Sequence, residues 1–237
     1  MHPILIKLGP ITIYSYGVMV AVGFGLATLL IYRCASKFNV NKDMIIDLAI
    51  IILIAGMVGA RLLYILLNLN YYIANLLEIP NLSKGGLVWY GGFLSALFAS
   101  AWYIRKKGFN FWNVGDLMAP YIALAQAIGR IGCFLNGCCY GIEGHPVQIY
   151  SSLLLLAIFA ILRLWQDRRH FAGEIFLAYC ILYSSKRFSI EFLRGDNPRI
   201  IYGLTLSQFI SILVILISFI VFVYKAIEWK KRSLNLE

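Results

Sequence analysis

The sequence predicts an all-α, polytopic membrane protein with about seven transmembrane helices, the N-terminus outside and the C-terminus in the cytoplasm. Three observations carry that expectation. Only 14% of the 237 residues are charged and 61% are hydrophobic, whereas roughly a quarter of a soluble domain is charged. Mean hydropathy is +0.78. Seven apolar stretches are each long enough to cross about 30 Å of hydrocarbon at about 1.5 Å per residue, with the basic residues gathered between them. A net charge of +10 distributed in this way is a topology signal, so nucleic-acid binding is excluded.

The predicted spans are 14–32, 44–67, 87–104, 114–134, 147–165, 173–189 and 204–224. Residues 1–17 lack the charged start, compact apolar core and small-residue cleavage site of a secretory signal, so this end is expected to be retained. The connections after the first, third and fifth spans and the C-terminal tail, counted with Arg163 at the end of the fifth span, hold 13 of the 21 basic residues, including Arg33, Lys107, Arg168 and Lys231. Such clusters stay in the cytoplasm. Segments of about 68–86, 135–146 and 190–203 then face outward.

The second span holds Gly56 and Gly59, a pairing that lets helices approach closely, and Arg61 follows at once. Residues 68–77 alternate Leu, Tyr and Asn over too short a distance to cross, which predicts an interfacial arm over about 68–86. Two glycine pairs, Gly85 with Gly86 and Gly91 with Gly92, flank Trp89 and Tyr90. They permit either tight helix packing or close backbone approach to a bulky ligand. With no repeat and no low-complexity tract, residues 1–237 read as a single membrane-embedded domain.

Charges in or beside apolar segments are candidate functional groups, here Arg61, Asp116, Arg130, Glu174, Lys186, Arg187, Glu191 and Arg194. Asp47, Asp116 and Glu174 sit near predicted cytoplasmic ends, where they could serve as caps. Residues 129–141, Gly-Arg-Ile-Gly-Cys-Phe-Leu-Asn-Gly-Cys-Cys-Tyr-Gly, place a guanidinium, an amide and three thiols where an apolar helix meets a polar segment. Arg130 there is half of a phosphate clamp or a snorkelling anchor. On the sixth span Arg187 and Glu191 share a helical face, with Arg194 one turn on, so an ion pair competes with ligand binding. Arg130 and Arg187 offer two guanidinium forks to one phosphodiester, which implies an anionic phospholipid.

Five cysteines exclude a fully paired disulfide set within one chain. Cys133 and Cys138 could bridge, whereas Cys138 and Cys139 would make a strained vicinal pair. The three thiols with His145 could form a Cys3His zinc site, although Cys-x4-Cys-Cys is not a standard ligand spacing, or they are small packed residues at a helix end. Cys34 and Cys180 read as buried fillers. No metal or organic cofactor is implied.

Several ordered pieces of the chain together are similar to the prolipoprotein diacylglyceryl transferase family, over nearly its whole length. They are Tyr14-Ser-Tyr-Gly17, Gly59-Ala-Arg-Leu62, Trp89-Tyr-Gly-Gly92, Gly129-Arg-Ile-Gly132 with Asn136-Gly137, His145-Pro-Val-Gln-Ile-Tyr150 and Arg187-Phe-Ser-Ile-Glu-Phe-Leu-Arg194. The resemblance implies a multi-pass enzyme of the bacterial cytoplasmic (inner) membrane, acting as a monomer among membrane lipids with its active site toward the outer face. Its substrates would be phosphatidylglycerol and a prolipoprotein signal peptide with a lipobox cysteine. Arg130 and Arg187 then match the arginines that hold the phosphate, Tyr16 and Asn136 match the lipid pocket, Arg61 and Glu191 match supporting charges, and Gly141 closes the core motif. Gly91, Gly92, Tyr183 and Arg194 complete the expected substrate-binding set, and Tyr90 joins the two arginines as a catalytic candidate.

The chain departs from the better-known family pattern at Tyr90, which replaces a histidine, and at Cys133 and Cys138, which replace Asn and Glu, with Cys139 adjacent. A phenol of reference pKa near 10 is a poor general base at neutral pH but a good hydrogen-bond donor. The base is therefore open, with His145 one candidate. Competing readings are a related lipid transferase with another acceptor or a covalent step at Cys138, and a non-catalytic phospholipid-binding protein or transporter. A transporter is disfavoured by the lack of paired interrupted helices, and a thiol-disulfide oxidoreductase by the lack of Cys-x-x-Cys.

Overall fold

In hydrocarbon every backbone amide must be satisfied within its own segment, so long apolar stretches become helices. The computed structural model describes residues 3–8, 11–81, 85–195, 197–201 and 203–234. A β-hairpin opens it, β1 (Ile4–Leu8) pairing antiparallel with β2 (Ile11–Tyr14). The helices α1 (Ser15–Cys34), α2 (Lys42–Leu67), the short α3 (Leu69–Ala74), α4 (Trp89–Lys106), α5 (Phe111–Asn136), α6 (Val147–Gln166) and α7 (Glu174–Glu191) follow. A second small hairpin, β3 (Arg199–Ile201) with β4 (Leu204–Thr205), leads into α8 (Leu206–Leu234).

Long helices occupy all seven predicted stretches. The first stretch starts one residue late, because Tyr14 belongs to β2, and the two hairpins are additions to the all-α expectation. Among the described residues, five segments are long and apolar enough to cross a membrane: Ser15–Phe38, Lys42–Leu67, Phe111–Asn136, Val147–Gln166 and Leu206–Leu234. The other two long helices are polar for a reason. α7 carries Glu174, Lys186, Arg187 and Glu191, and α4 ends in Arg105 and Lys106.

The chain forms two compact units, Met1–Cys34 with Gly115–Glu237, and Ala35–Val114. In the first, α5 presents Ala119, Ala123 and Ala127 at four-residue spacing, and these fully buried small side chains let α6 and α7 approach closely. Leu155, Ile158 and Leu162 of α6 and Ile175, Ala178 and Tyr179 of α7 complete this core. One end is pinned by Asp116, whose buried carboxylate accepts from the Gly173 and Phe176 amides at 2.7 and 2.9 Å and from Arg169 at 2.7 Å. Glu174 accepts from the His170 and Phe171 amides at 2.5 and 3.3 Å. Both acids thus cap chain ends, as their positions suggested.

In the second unit α2 and α4 pack backbone to backbone. A methyl group on Gly91 would lie 2.4 Å from the Gly59 carbonyl oxygen, and one on Gly92 would lie 2.8 Å from that of Gly56. Of the two uses foreseen for these glycines, close helix packing is the one the geometry displays. Asp47 of α2 accepts the Tyr103 hydroxyl of α4, which ties the far ends of the two helices. The expected arm becomes α3 and a short 3-10 turn, Leu76–Glu78. Lys84, directly before the first glycine pair, lies outside the described residues.

Candidate functional site

The end of α5 is built by a helix-terminating motif that Asn136-Gly137 encodes. Gly137 takes the left-handed conformation at φ +74°, its amide bonds to the Phe134 carbonyl at 3.2 Å, and the Cys138 amide bonds to the Cys133 carbonyl at 3.2 Å. These two bonds define a Schellman close, with Asn136 as the exposed cap residue. Cys139 also has positive φ, +60°, so the chain curls back over the helix end. As a result the sulfurs of Cys133, Cys138 and Cys139 all lie within 4.8 Å of one another.

Gly141 fastens this loop to the exit of α7. It forms an isolated antiparallel bridge with Arg194, and the neighbouring Ile142 amide bonds to the Leu193 carbonyl at 2.9 Å. A methyl group on Gly141 would lie 2.4 Å from Val147 Cγ2 and 2.9 Å from the Leu193 oxygen, so glycine is required by the approach itself. Gln148 of α6 donates to the Cys138 carbonyl at 2.8 Å and completes the frame.

The bridge brings the charges of two segments together. Arg130, Lys186, Arg187 and Arg194 lie within electrostatic reach of one another, and Tyr183 faces Arg187. Glu191 is fully buried between two of them, its Oε2 standing 3.2 Å from Arg187 and 3.8 Å from Arg194. Its Oε1 accepts from Asn197 at 2.5 Å and Thr205 at 3.0 Å. Arg187 also donates to the Ser207 hydroxyl at 2.9 Å. The ion pair anticipated on this face is therefore present, yet Arg187 keeps 18% of its side chain exposed. Arg130 has no hydrogen-bond or ion-pair partner among the described residues, and it is half-buried. Tyr16 of α1 is exposed and lies within reach of Arg130 and all three thiols. A hydrogen bond from the Cys133 thiol, aided by Arg194 and Arg130 and opposed by burial, pulls the Cys139 thiol down to about 5.

His145 stands apart from the thiol cluster, with its ring 6.4 Å from that of Tyr150, so the expected Cys3His set reduces to three sulfurs. All five cysteines are free, which removes the Cys133–Cys138 bridge. His145 lines a cleft of about 710 Å3 together with Phe134, Tyr140, Gly141, Gln148 and Gly195. That volume falls in the range of small-molecule sites, although neither Arg130 nor Arg187 lines it.

The remaining expected residues belong to the second unit. Arg61 donates to five carbonyls, those of Glu78, Ile79, Asn81, Gly85 and Gly86, at 2.8 to 3.2 Å. Its guanidinium shapes the connection before α4. Tyr90 is exposed on the first turn of α4, edge-on to Trp89 at 5.3 Å, and its hydroxyl makes no hydrogen bond among the described residues. Ser151, Ser207 and Asn197 went unassigned in the sequence, and Lys186 was a candidate charge without a stated role. Lys186 donates to Ser151 at 3.0 Å beneath the Tyr183 ring, and the signal for this buried polar seam was Gln148, Ser151 and Ser152 on one stripe of an apolar helix.

The sequence pattern described as prolipoprotein diacylglyceryl transferase matches residues 3–224. The chain belongs to the prolipoprotein diacylglyceryl transferase family. It is 38% identical to the phosphatidylglycerol–prolipoprotein diacylglyceryl transferase of Clostridium tetani, over 94% of this chain and 97% of that protein. The enzymes of the same name from Geobacillus kaustophilus and Clostridioides difficile are 34% and 32% identical, over 96% and 100% of this chain and 94% and 99% of theirs. Among transferases of this family, the present chain joins its α5 and α7 motifs through the Gly141–Arg194 bridge.

Proposed function

We propose that this chain transfers the diacylglyceryl group of phosphatidylglycerol to the thiol of a lipobox cysteine in a prolipoprotein signal peptide, releasing glycerol phosphate. The observation that carries the reading is the gathering of Arg130, Lys186, Arg187 and Arg194 at the α5–α7 junction, where Glu191 is a described carboxylate partner of Arg187 and Arg194 alone. A phosphodiester is the complement that the bilayer supplies. As the glyceryl carbon–oxygen bond breaks, charge grows on the departing phosphate, and donors already aimed there stabilise it without reorganising. Arg130, which has no partner among the described residues, and the exposed part of Arg187 are the two donors. Glu191, Ser207 and Arg194 hold Arg187 in place, and Tyr16, Tyr183 and Asn136 meet the lipid.

All seven long helices are read as crossing the bacterial inner membrane, with the N-terminus outside and the site near the outer face. α4 and α7 have 18 residues each, which span about 27 Å. The chain acts as one membrane-embedded domain and as a monomer. The test is transfer of a radiolabelled diacylglyceryl group from phosphatidylglycerol to a lipobox peptide by the purified protein. Arg130→Ala and Arg187→Ala should abolish it. Label on a Cys→Ser peptide, or transfer undiminished in both variants, would refute the mechanism.

A further inference from the structure

The thiol cluster at the end of α5 has no task in that reading, yet the fold assembles it deliberately. In a Schellman close the third residue from the helix end touches the second residue beyond it, and that contact is ordinarily a hydrophobic pair. Here those two positions are Cys133 and Cys138. A spacing that looks irregular along the chain is therefore a contact in space. Cys139, held at φ +60°, brings in the third sulfur, and all three lie within 4.8 Å of one another.

Three convergent thiols are a soft donor set, which selects zinc over the hard divalent cations. Tetrahedral zinc with bonds of about 2.3 Å places its sulfurs about 3.8 Å apart, so the cluster needs to contract by about 1 Å at most. Three thiolates and one Zn2+ leave a net single negative charge, which Arg130 and Arg194, both within reach of Cys139, complement. Structural zinc sites close the tetrahedron with a fourth protein ligand, whereas sites with three protein ligands keep a position open for chemistry. With His145 outside the cluster, this set is of the second kind.

We propose that Cys133, Cys138 and Cys139 hold a zinc ion whose fourth position receives the thiol of the acceptor cysteine. The proposal rests on the transferase reading and supplies what that reading lacks, a means of making the thiolate. The acceptor S–H gives its proton to water as sulfur binds the metal, since a coordinated thiol is deprotonated outright. The sulfur then attacks the glyceryl carbon. A carbon–sulfur bond forms, the carbon–oxygen bond breaks, and its electron pair leaves on glycerol phosphate beside Arg130 and Arg187. No general base is needed.

The test uses the full chain in lipid nanodiscs, with zinc alone as the first probe and cobalt(II) as its spectroscopic substitute. About one zinc per chain is expected, bound more than about 100-fold more weakly by Cys133→Ser and by Cys139→Ser, and unchanged in Cys34→Ser and Cys180→Ser. The cobalt form of the unaltered chain should show sulfur-to-metal charge-transfer bands that strengthen with a lipobox peptide and not with its Cys→Ser form. That readout needs no variant to fold. Full transfer by chelated, zinc-free protein, or a disulfide within the cluster of active protein, overturns the zinc site and leaves the transferase standing. Zinc held by these thiols and a peptide-dependent cobalt spectrum without any transfer supports the site and overturns the transferase.

Discussion

Replacing Glu191 by glutamine tests the charge logic of the site while keeping its shape. The carboxylate has no exposed side-chain area, and its Oε2 meets Arg187 at 3.2 Å and Arg194 at 3.8 Å. Glutamine retains an acceptor for Asn197 and Thr205 but turns an amide, or a neutral oxygen, toward two guanidinium groups. Breaking a buried ion pair by removing one partner costs about 3–5 kcal/mol. Arg187 is 18% exposed and keeps Ser207, so a cost of about 2–3 kcal/mol is the better figure. At about 2–4 °C per kcal/mol for a chain of this size, the midpoint of unfolding should fall by about 5–10 °C. Tryptophan fluorescence during heating, in nanodiscs of zwitterionic lipid, measures it. Phosphatidylglycerol should restore much of the loss, because its phosphate returns the missing negative charge to Arg187. A midpoint within about 1 °C of the parent, or equal recovery with zwitterionic lipid, would refute the reasoning.

Other consequences are local. Gly91→Ala drives a methyl group to 2.4 Å from the Gly59 carbonyl and should cost about 1–3 kcal/mol in a melting experiment, whereas Gly56→Ala, whose nearest neighbour would be 3.9 Å away, should be nearly silent. Arg61→Lys cannot reach five carbonyls with a single ammonium, so proteolysis after Glu78 should become faster while PG binding to the isolated site mutants Arg130→Ala and Arg187→Ala remains the separate, larger loss. Asp116→Ala removes a cap shared by Gly173, Phe176 and Arg169 and should lower stability by about 1–2 kcal/mol, read as earlier hydrogen exchange at the first turn of α7.

The long helices were legible because apolar stretches in lipid must satisfy their backbone as helices, and helix-end residues such as Asn136-Gly137 and Asp116 declared themselves by type. Glu191 and its two arginines were legible too, since i, i+3 and i, i+4 spacing is enough to place them together. Three features were not. The Ile4–Tyr14 hairpin is an alternation too short to distinguish from the start of a span. The junction of Gly141 with Arg194 depends on two residues more than fifty positions apart, and no local pattern reports it. The fate of Arg61 was hidden because a guanidinium saturated by five carbonyls looks the same in a sequence as one awaiting a ligand.

α7 shows how the site and the membrane pull against each other. Each ionised group at mid-bilayer costs an isolated helix about 2.5–3.5 kcal/mol, and α7 carries Lys186, Arg187 and Glu191 within two turns. Part of that cost is offset inside the protein: Lys186 reaches Ser151 and lies 4.8 Å from the centre of the Tyr183 ring, and Arg187 meets Glu191. Glu191, however, is the one described carboxylate that meets both Arg187 and Arg194. A pair of guanidinium groups holding one carboxylate still carries net positive charge, and Arg130 adds another with no described partner. An anionic headgroup is the one component of the surroundings that is both abundant and of the right sign. The polarity that keeps α7 below the threshold of an obvious span is thus the same polarity on which the proposed lipid-phosphate site rests.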